Sequence, residues 1–379
     1  MKYIFLLFIS SSLFAKPAKN LIFIVGDGMG LASVVGARVY SQGASGKLNI
    51  ERFKTIGLSK TYSSDNYTTD SAAGATAFAT GQKSYNGAIS VDTNKKPLKT
   101  IFDTGFKNKK ALGIVTTTAV THATPACFYA HVENRSQEKL IASQLKDSKL
   151  QFLLGGGAQF FKSYKKSLKK AGWRIIKKKS QLNEVNGSKP VLGIFAKNHL
   201  EYSIRNKKHP ELIDMVKVGL KRLSKNENGY MFVIEAGRID HAGHANLAKE
   251  QFGEVLALDK TIKYLLDNVN LEETLIVLTA DHETGGLALS GYGDLDKVKG
   301  DFLLTKKSNY GKNPFISWAT GPAAIADPLH KAAYPTVMAN HTTIDVPIYS
   351  IGNGHEKMGG FMLNNEITPK IMKIMNLDF

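Results

Sequence analysis

Short apolar runs recur along the chain and alternate with longer stretches in which apolar residues follow a helical period. Six of these runs are typical of strands that are buried on both faces, because such strands lack the polar–apolar alternation of half-exposed ones. They are LIFIV (21–25), ALGIVT (111–116), FLL (152–154), YMFVI (230–234), TLIVLTA (274–280) and PIYSI (347–351). Helical patterns lie between several of them, for example from Pro210 to Ser224 and from Asn246 to Val269. This alternation predicts an α/β protein.

The stretch TTDSAAGATAFATG (68–81) consists almost entirely of small side chains. Because Ala is the best helix former and Asp is a good N-cap, we predict a helix that begins near Thr69 or Asp70. Two interpretations of Asp70 and Ser71 are open at this point. Either the pair caps a helix that packs closely against a neighbour, or Ser71 lies where backbone N–H groups and the helix dipole bind an anion.

Polar residues follow four of the predicted strands at the point where each strand ends. The carboxyl ends of parallel strands meet at one edge of a sheet, where ligands bind, so we expect these residues to form a single site. They are Asp27 after the first strand, Thr124 and Arg135 after the second, Glu235 and Asp240 after the fourth, and Asp281 and His282 after the fifth.

Two of these segments carry carboxylate and imidazole groups at metal-binding spacings. In EAGRIDHAGHAN (235–246), Asp240 and His244 lie on one face of a helical turn and can share an ion, while Glu235 can serve another. TADHETGG (279–286) adds a consecutive Asp–His pair. A single Asp–His pair is more often structural, but two pairs at one sheet edge favour a metal centre. Carboxylate and imidazole without thiolate suit zinc, and all-oxygen positions suit magnesium.

The remaining strand-end motifs add a possible cation ligand and a possible anion clamp. GDGMG (26–30) lacks the spacing of a dinucleotide fingerprint, and Asp27 would repel a pyrophosphate, so Asp27 is a cation ligand or a turn residue. THATPACFYAHVENR (121–135) supplies the hydroxyl of Thr124 and the guanidinium of Arg135. The planar guanidinium fits two phosphate oxygens, and a surface ion pair is the alternative role for it.

The N-terminal sequence MKYIFLLFISSSLFAKP has the layout of a secretory signal, with one lysine, an apolar run and small residues up to Ala15. We predict a signal peptide over residues 1–15 and an exported, periplasmic protein. The run is too short to span a bilayer, and no other stretch would anchor the mature protein in a membrane. Cys127 is the one cysteine of the sequence, so no intrachain disulfide can form. We interpret Cys127 as a small buried hydrophobic residue rather than a reactive thiol.

The chain is basic, with 50 Lys and Arg against 32 Asp and Glu and a formal charge of +18. Such a surface attracts anions. The basic runs KNKK (107–110), KKSLKK (165–170) and KKK (177–179) are interpreted as solvated faces, because no aromatic residues interleave to stack on bases. We therefore expect no specific nucleic-acid partner.

Taken together, GDGMG, TTDSAAGATAFATG, THATPA…NR, EAGRIDHAGHAN and TADHETGG resemble the alkaline phosphatase family in order and in spacing, from about residue 20 to the C-terminus. The resemblance implies a three-layer α/β/α sandwich around a large, mostly parallel mixed sheet. It implies a catalytic domain over residues 16–379, with a reduced, crown-like insertion within 289–340. It also implies a homodimeric phosphomonoesterase that uses two Zn²⁺ and one Mg²⁺, acts on small phosphate monoesters and releases inorganic phosphate.

The same resemblance implies a role for each candidate residue. Ser71, beside Asp70, is the nucleophile that forms a phosphoserine, and Arg135 clamps the phosphate. The implied metal ligands are Asp240, His244 and His341 for the first zinc, Asp27, Asp281 and His282 for the second zinc, and Asp27, Thr124 and Glu235 for the third metal.

Four histidines are not assigned by these motifs alone. His122 and His241 stand where the best-known bacterial members have Asp and Lys, close to the third metal. If they ligate, imidazole shifts that site toward Zn²⁺ or Co²⁺; alternatively they pack or form hydrogen bonds without ligating. His355 follows PIYSI, so strand-end reasoning favours it over His341 as a ligand of the first zinc. Strand-end reasoning and the family resemblance agree on His341 only if this strand runs antiparallel to the others. His330 is interpreted as a loop residue.

Two other classes of function remain as alternatives. One is a phosphodiesterase or sulfatase of the same superfamily, although DSAAG lacks the proline and arginine that a Cys/Ser-x-Pro-x-Arg sulfatase motif requires. The other is a non-catalytic phosphate- or metal-binding protein. A pure binder has no need for Ser71 beside two metal sites, so the complete residue set favours the enzyme.

Overall fold

The computed structural model describes residues 16–309, 313–324 and 335–379. The predicted signal peptide (1–15) and His330 lie outside the described residues.

Fourteen strands are found in the described part of the chain. They are β1 (Asn20–Val25), β2 (Thr55–Lys60), β3 (Ala111–Ala119), β4 (Phe152–Gly156), β5 (Arg174–Ile176), β6 (Val191–Ile194), β7 (Tyr230–Glu235), β8 (Thr274–Thr279), β9 (Glu283–Thr284), β10 (Leu287–Leu289), β11 (Ile316–Trp318), β12 (His341–Thr342), β13 (Val346–Gly352) and β14 (Gly360–Leu363). The six strands predicted from apolar runs are all present as β1, β3, β4, β7, β8 and β13.

Ten of these strands form one sheet, in the order β14-β2-β13-β8-β1-β7-β3-β4-β6-β5. All of them run in the same direction except β13, which is antiparallel to both β2 and β8. The carboxyl ends of β1, β3, β7 and β8 are therefore adjacent, as the strand-end argument requires. The beginning of β13, not its end, lies at this same edge.

The helices are α1 (Leu31–Gln42), α2 (Ser71–Thr80), α3 (Ile101–Lys107), α4 (Ala123–Ala126), α5 (Glu138–Gln144), α6 (Lys165–Lys170), α7 (Leu212–Leu223), α8 (Arg238–His244), α9 (Ala248–Asn268), α10 (Gly300–Thr305) and α11 (Ile367–Ile374). The two long helical patterns are confirmed as α7 and α9. Helix α2 begins where predicted, with Asp70 as its N-cap: Oδ1 of Asp70 accepts a hydrogen bond of 2.9 Å from the backbone N–H of Ala73.

Helices cover both faces of the sheet. Strand β1 shows this directly, because successive side chains of a strand point to opposite faces. Ile22 and Ile24 belong to a core that includes α1, α7 and α9, whereas Leu21 and Phe23 belong to a second core that includes α2, α3 and α11. The expected three-layer α/β/α sandwich is confirmed.

Short strands between β8 and β13 form two separate two-stranded sheets. Strand β9 pairs antiparallel with β12, and β10 pairs antiparallel with β11. The described part of residues 289–340 thus contains little regular structure besides α10 and β11. Among the described residues, no helix combines the length and the apolar character that crossing a membrane requires.

Candidate active site and metal centre

Ser71 is the first residue of α2 and is almost fully buried, at 1% exposure. Its Oγ lies 3.2 Å from Nε2 of His282. The small residues of α2 allow this approach: a Cβ atom at Gly74 would lie 3.0 Å from Cβ of Asp281. The helix therefore packs against the end of β8 at a distance that larger side chains would prevent.

A first group of ligand-type side chains surrounds His282. Nε2 of His282 lies 3.6 Å from Oδ1 of Asp27 and 3.4 Å from Oδ2 of Asp281, and all three residues are fully buried. Their ligand atoms lie within 4.8 Å of one another, which is close enough to hold one cation. The turn at Gly28 makes this possible, because φ there is +70° and a Cβ atom would lie 2.8 Å from Cα of Asp240.

A second group consists of Asp240, His244 and His341. Nε2 of His244 lies 3.3 Å from Oδ2 of Asp240, and Nε2 of His341 lies 3.6 Å from Oδ1 of the same carboxylate. Each imidazole has its Nδ1 at a backbone carbonyl, at 2.5 Å from Ala339 and 3.0 Å from Thr69 respectively. Nδ1 must donate to a carbonyl, so neutral imidazoles here carry their lone pairs on Nε2.

The two Nε2 atoms of His244 and His341 face each other at 3.0 Å. Two lone pairs do not attract each other, so this arrangement needs a proton or a cation between them. Histidines whose Nδ1 is held by a carbonyl are the usual form of metal-binding histidine. The group therefore fits a cation such as zinc.

His341 reaches this group because of the direction of β13. It lies on β12, five positions before β13 begins at Val346, and pairs with Thr284 of β9. His355 follows the far end of β13, where its Nδ1 contacts Oγ1 of Thr55 at 2.7 Å. The antiparallel strand that the family resemblance requires is confirmed, and it places His341, not His355, beside Asp240.

A third group lies at the ends of β1, β3 and β7. Asp27, Glu235 and His122 have ligand atoms within 4.8 Å of one another. One oxygen of Glu235 accepts hydrogen bonds from Thr116 and from Thr118, the latter at 3.0 Å. Its other oxygen, both oxygens of Asp27 and Oγ1 of Thr124 are buried without a hydrogen bond to any described residue.

Such unpaired buried oxygens are costly unless a cation or water satisfies them. Burial and the carboxylates of Asp281 and Asp240 raise the pKa of Asp27 well above its usual range. Burial and the charge of Asp240 raise the pKa of Asp281 to about 7. Cations bound among these carboxylates would remove the repulsion, so the residues fit the divalent metal ions that the sequence implies.

Arg135 lies beside these groups with its guanidinium held at two points. One terminal nitrogen donates to Oδ2 of Asp70 at 3.0 Å, and the other lies 3.1 Å from Nε2 of His122. Asp70 therefore has two functions, since its other oxygen caps α2. The guanidinium is oriented rather than free to rotate in solvent, which suits it to donate to two oxygens of one anion.

Comparison with known proteins identifies the family. A model of the alkaline phosphatase family matches residues 18–377. The chain belongs to the alkaline phosphatase family. It is 39% identical over 317 residues to the repressible alkaline phosphatase of Saccharomyces cerevisiae, a match that covers 72% of this chain and 56% of that enzyme. It is 31% identical over 409 residues to alkaline phosphatase 4 of Bacillus subtilis, covering 94% of this chain and 88% of that one.

A solved alkaline phosphatase has the same fold. The enzyme from the Antarctic bacterium TAB5 superposes with a TM-score of 0.80 at 30% identity, covering 96% of this chain and all of that one. Variants of that enzyme in which one histidine is replaced by aspartate or glutamate have Mg bound in a site called M3. The resemblance of the five sequence motifs to the alkaline phosphatase family is confirmed.

Three histidines pack together next to Arg135 in this alkaline phosphatase family member. The ring centres of His122 and His241 are 5.4 Å apart, and His199 lies 5.5 Å from the first and 4.4 Å from the second. Nδ1 of His241 lies 2.6 Å from a guanidinium nitrogen of Arg238. His199 follows β6 and is absent from the site predicted from sequence, although the apolar run VLGIFA (191–196) that contains β6 is longer than the run FLL that predicts β4.

Glu283 is a second residue whose role the sequence motifs do not reveal, although it lies within TADHETGG (279–286). It is buried and accepts hydrogen bonds from the backbone N–H groups of Gly286 and Leu287, at 3.1 and 3.2 Å, and from Oγ1 of Thr342 at 2.5 Å. The last bond joins β9 to β12, the strand that carries His341. Glu283 thus fixes a ligand-bearing strand without itself reaching the metal groups.

Proposed function

We propose that this protein is an exported alkaline phosphatase that hydrolyses small phosphate monoesters through a phosphoserine at Ser71. The observation that carries the proposal is the position of Ser71. Its hydroxyl lies at the N-terminus of α2, against the group formed by Asp27, Asp281 and His282, and Arg135 is oriented nearby by Asp70. Family membership supports phosphomonoester hydrolysis as the reaction.

The three groups of side chains would hold three metal ions. Asp240, His244 and His341 would hold the first zinc, Asp27, Asp281 and His282 the second zinc, and Asp27, Thr124 and Glu235 the third ion. The third ion would be Mg²⁺, or Zn²⁺ or Co²⁺ if His122 ligates, and the Mg in the M3 site of the TAB5 variants supports a third position. When bound, these ions would lower the pKa of hydroxyl groups and stabilise the charge of attacking and leaving oxygens.

The chain's own residues would bind and transfer the phosphoryl group. Arg135 donates two hydrogen bonds to two phosphate oxygens, as a planar guanidinium can. Oγ of Ser71 gives up its proton to solvent, attacks phosphorus and forms a new P–O bond. The bond between phosphorus and the ester oxygen breaks, and that oxygen takes up a proton from solvent and leaves as the alcohol from the opposite side. Water then attacks the phosphoserine, which releases inorganic phosphate and restores the Ser71 hydroxyl. Little of the alcohol needs to be recognised, so we expect broad specificity.

The proposal extends to organisation and location. We propose one catalytic domain over residues 16–379 with a reduced crown-like insertion within 289–340, supported by the family match over 18–377 and by the few short elements described there. The signal-like layout of residues 1–15 supports export to the periplasm. A homodimer is proposed on the family resemblance alone.

One experiment tests the reaction. The purified protein is assayed with p-nitrophenyl phosphate, bis(p-nitrophenyl) phosphate and p-nitrophenyl sulfate, each with and without EDTA. We expect the monoester to be hydrolysed fastest and EDTA to abolish the activity. Faster hydrolysis of the diester or the sulfate would identify the alternative enzymes of the superfamily, and binding of phosphate without turnover of any substrate would identify a binding protein.

A further inference from the structure

Positive charge is concentrated in one short segment outside the active site. Residues 161–190 contain ten of the 50 Lys and Arg residues but only one of the 32 Asp and Glu residues. The rest of the chain has 40 basic and 31 acidic residues, so its excess of basic over acidic residues equals that of this single segment. The basic character of the protein is therefore local rather than evenly distributed.

These cations lie together at one border of the molecule. The segment forms α6 and β5. Among the strands that the structure describes, β5 is the last of the sheet and pairs only with β6. We call the side chains that α6 and its flanks expose here the basic edge. Its members are Lys162, Lys165, Lys166, Lys169, Lys170, Lys177 and Lys178, each exposed or half-exposed.

Several lysines of the basic edge lie close to one another. Positive charge on Lys177, Lys162 and Lys169 lowers the pKa of Lys165, so these side chains are close enough to repel. The nearby acids are engaged elsewhere: Glu184 pairs with Arg174, and Asp214 pairs with Lys179. In the described part of the chain, no member of the basic edge has a carboxylate within 4 Å.

Protection of an edge strand does not account for this arrangement. A charged residue on the strand itself is enough to oppose edge-to-edge pairing, and Arg174 is such a residue on β5. The lysines of the basic edge lie instead on α6 and beyond the end of β5. Surface charge that serves solubility alone is normally interspersed, because clustered like charges repel. A concentrated cluster is stabilised when a negatively charged surface is present.

We propose that the basic edge binds the surface of an anionic phospholipid bilayer. Clusters of four to eight basic residues bind acidic lipid headgroups, with roughly 1 kcal/mol for each charge near the surface. Nine of the ten cations in the segment are lysines, which act as point charges and suit a diffuse array of headgroups. Trp173 and Phe161 are buried, at 4% and 0% exposure, and Tyr164 is half-buried against the core, so none of these three rings is freely exposed for a base to stack on. These features favour lipid over nucleic acid.

The location of the basic edge is compatible with enzymatic activity on the membrane. The candidate active site lies at the carboxyl ends of the central strands β1, β3, β7 and β8, and β4 and β6 separate these strands from β5. Binding through α6 therefore uses none of the residues assigned to phosphate or metal. The proposal does not depend on the proposed function.

Sedimentation with lipid vesicles tests the proposal. The protein is mixed with vesicles of phosphatidylcholine alone or of phosphatidylcholine with phosphatidylglycerol, at low and at physiological ionic strength. The test variant combines Lys165→Gln, Lys166→Gln, Lys169→Gln and Lys170→Gln. The control combines Lys249→Gln, Lys260→Gln, Lys263→Gln and Lys297→Gln, which removes the same charge from lysines that each pair with a carboxylate.

We expect the wild type to bind only the phosphatidylglycerol vesicles and to dissociate as salt increases. At about fivefold per lysine, the four substitutions of the test variant should weaken binding by roughly 600-fold, and the control should bind nearly as the wild type does. Hydrolysis of p-nitrophenyl phosphate and the melting temperature should be unchanged in both variants. If the test variant does not fold, the double variant Lys177→Gln, Lys178→Gln, in the exposed loop after β5, replaces it. Its expected loss of binding is about 25-fold, half that of the test variant on a logarithmic scale.

Three results would overturn the proposal. Wild-type protein that fails to bind phosphatidylglycerol vesicles at low salt excludes the lipid surface. Equal losses in the test and control variants show that net charge alone is responsible. Loss of binding to a DNA oligonucleotide in the test variant, with vesicle binding retained, shows that the basic edge serves nucleic acid instead.

Discussion

Oγ of Ser71 and Nε2 of His282 lie 3.2 Å apart, although 211 positions separate the two residues in the sequence. A serine beside a histidine could indicate general-base catalysis. Here, however, the same Nε2 also faces the carboxylates of Asp27 and Asp281, at 3.6 and 3.4 Å. A proton on that nitrogen can form a hydrogen bond with only one of these oxygen atoms. A cation between the four side chains, in contrast, can be bound by Ser71, His282, Asp27 and Asp281 together. We therefore interpret His282 as a ligand that shares a metal with the Ser71 oxygen.

The choice of His341 over His355 is tested by metal content. We expect His341→Ala to lose about one zinc per chain, because the mutation removes one of three proposed ligands. His355→Ala is the matched control, since its imidazole contacts Thr55 at the opposite edge of the sheet. Both proteins are dialysed against buffer and analysed by atomic emission. Loss of zinc in the His355 variant alone would contradict the assignment.

Glu283 should act on the same zinc through the position of β12. Its two carboxylate oxygens accept three hydrogen bonds. In Glu283→Gln an NH₂ group replaces one of these oxygens, so it would face at least one of the three donors and could not accept its hydrogen bond. We expect zinc affinity at the His341 group to fall by about ten- to a hundredfold, as for other residues that orient ligands. Glu184→Gln, on the remote β5 side, is the control. Unchanged zinc affinity together with a lowered melting temperature would show that Glu283 is only structural.

The phosphate clamp depends on Arg135 and on its partner Asp70. We expect Arg135→Ala to weaken phosphate inhibition by about ten- to a hundredfold, since a bidentate charged contact is lost. Asp70→Asn should have a smaller effect in the same direction, because the amide oxygen can still cap α2 while the negative charge that orients Arg135 is gone. Inhibition constants for inorganic phosphate measure both. The control Arg174→Ala removes an arginine remote from the site and should leave the inhibition constant for phosphate unchanged. An unchanged inhibition constant in Arg135→Ala would refute the role of Arg135 as the phosphate clamp.

Local patterns in the sequence were sufficient to predict the central sheet and most of the site. The buried runs identified β1, β3, β4, β7, β8 and β13, and the residues after four of them do converge. The edge strands β5 and β14 and the strand β2 next to β14 have three to six residues and no long apolar run, so packing rather than sequence pattern determines them. Strand β6 lies within the apolar run VLGIFA (191–196), which the prediction did not include. The direction of β13 also depends on its connections and could not be deduced from its own residues.

The residues that the sequence did not reveal act through contacts between distant segments. His199 joins His122 and His241 only because β6 lies near β3 in the sheet, and nothing in its local sequence indicates this. Glu283 lies inside a recognised motif, but its partner Thr342 is 59 positions away. Motif spacing identifies groups that act from one turn or strand end, whereas it carries little information about the residues that hold those segments together.

The histidines near the third group should determine which metal that site prefers. We expect the double variant His122→Asp, His241→Lys to bind Mg²⁺ more tightly than the wild type and to depend on it more strongly, because carboxylate oxygen suits Mg²⁺ better than imidazole does. The single variant His199→Gln is a control that leaves both exchanged residues in place. Both variants and the wild type are titrated from the metal-free form with Mg²⁺, Zn²⁺ and Co²⁺. Identical Mg²⁺ affinity and activation in the double variant and the wild type would refute this role.

The most direct test of the account is to trap and locate the covalent intermediate. Metal-loaded enzyme is mixed with a ³²P-labelled monoester, quenched in acid and digested, and the labelled peptide is sequenced. We predict a phosphoserine at Ser71 in the wild type and in the Ser143→Ala control, and none in Ser71→Ala or in protein treated with EDTA. Turnover by Ser71→Ala should fall at least about a thousandfold. Label on another residue, or full turnover by Ser71→Ala, would contradict the account.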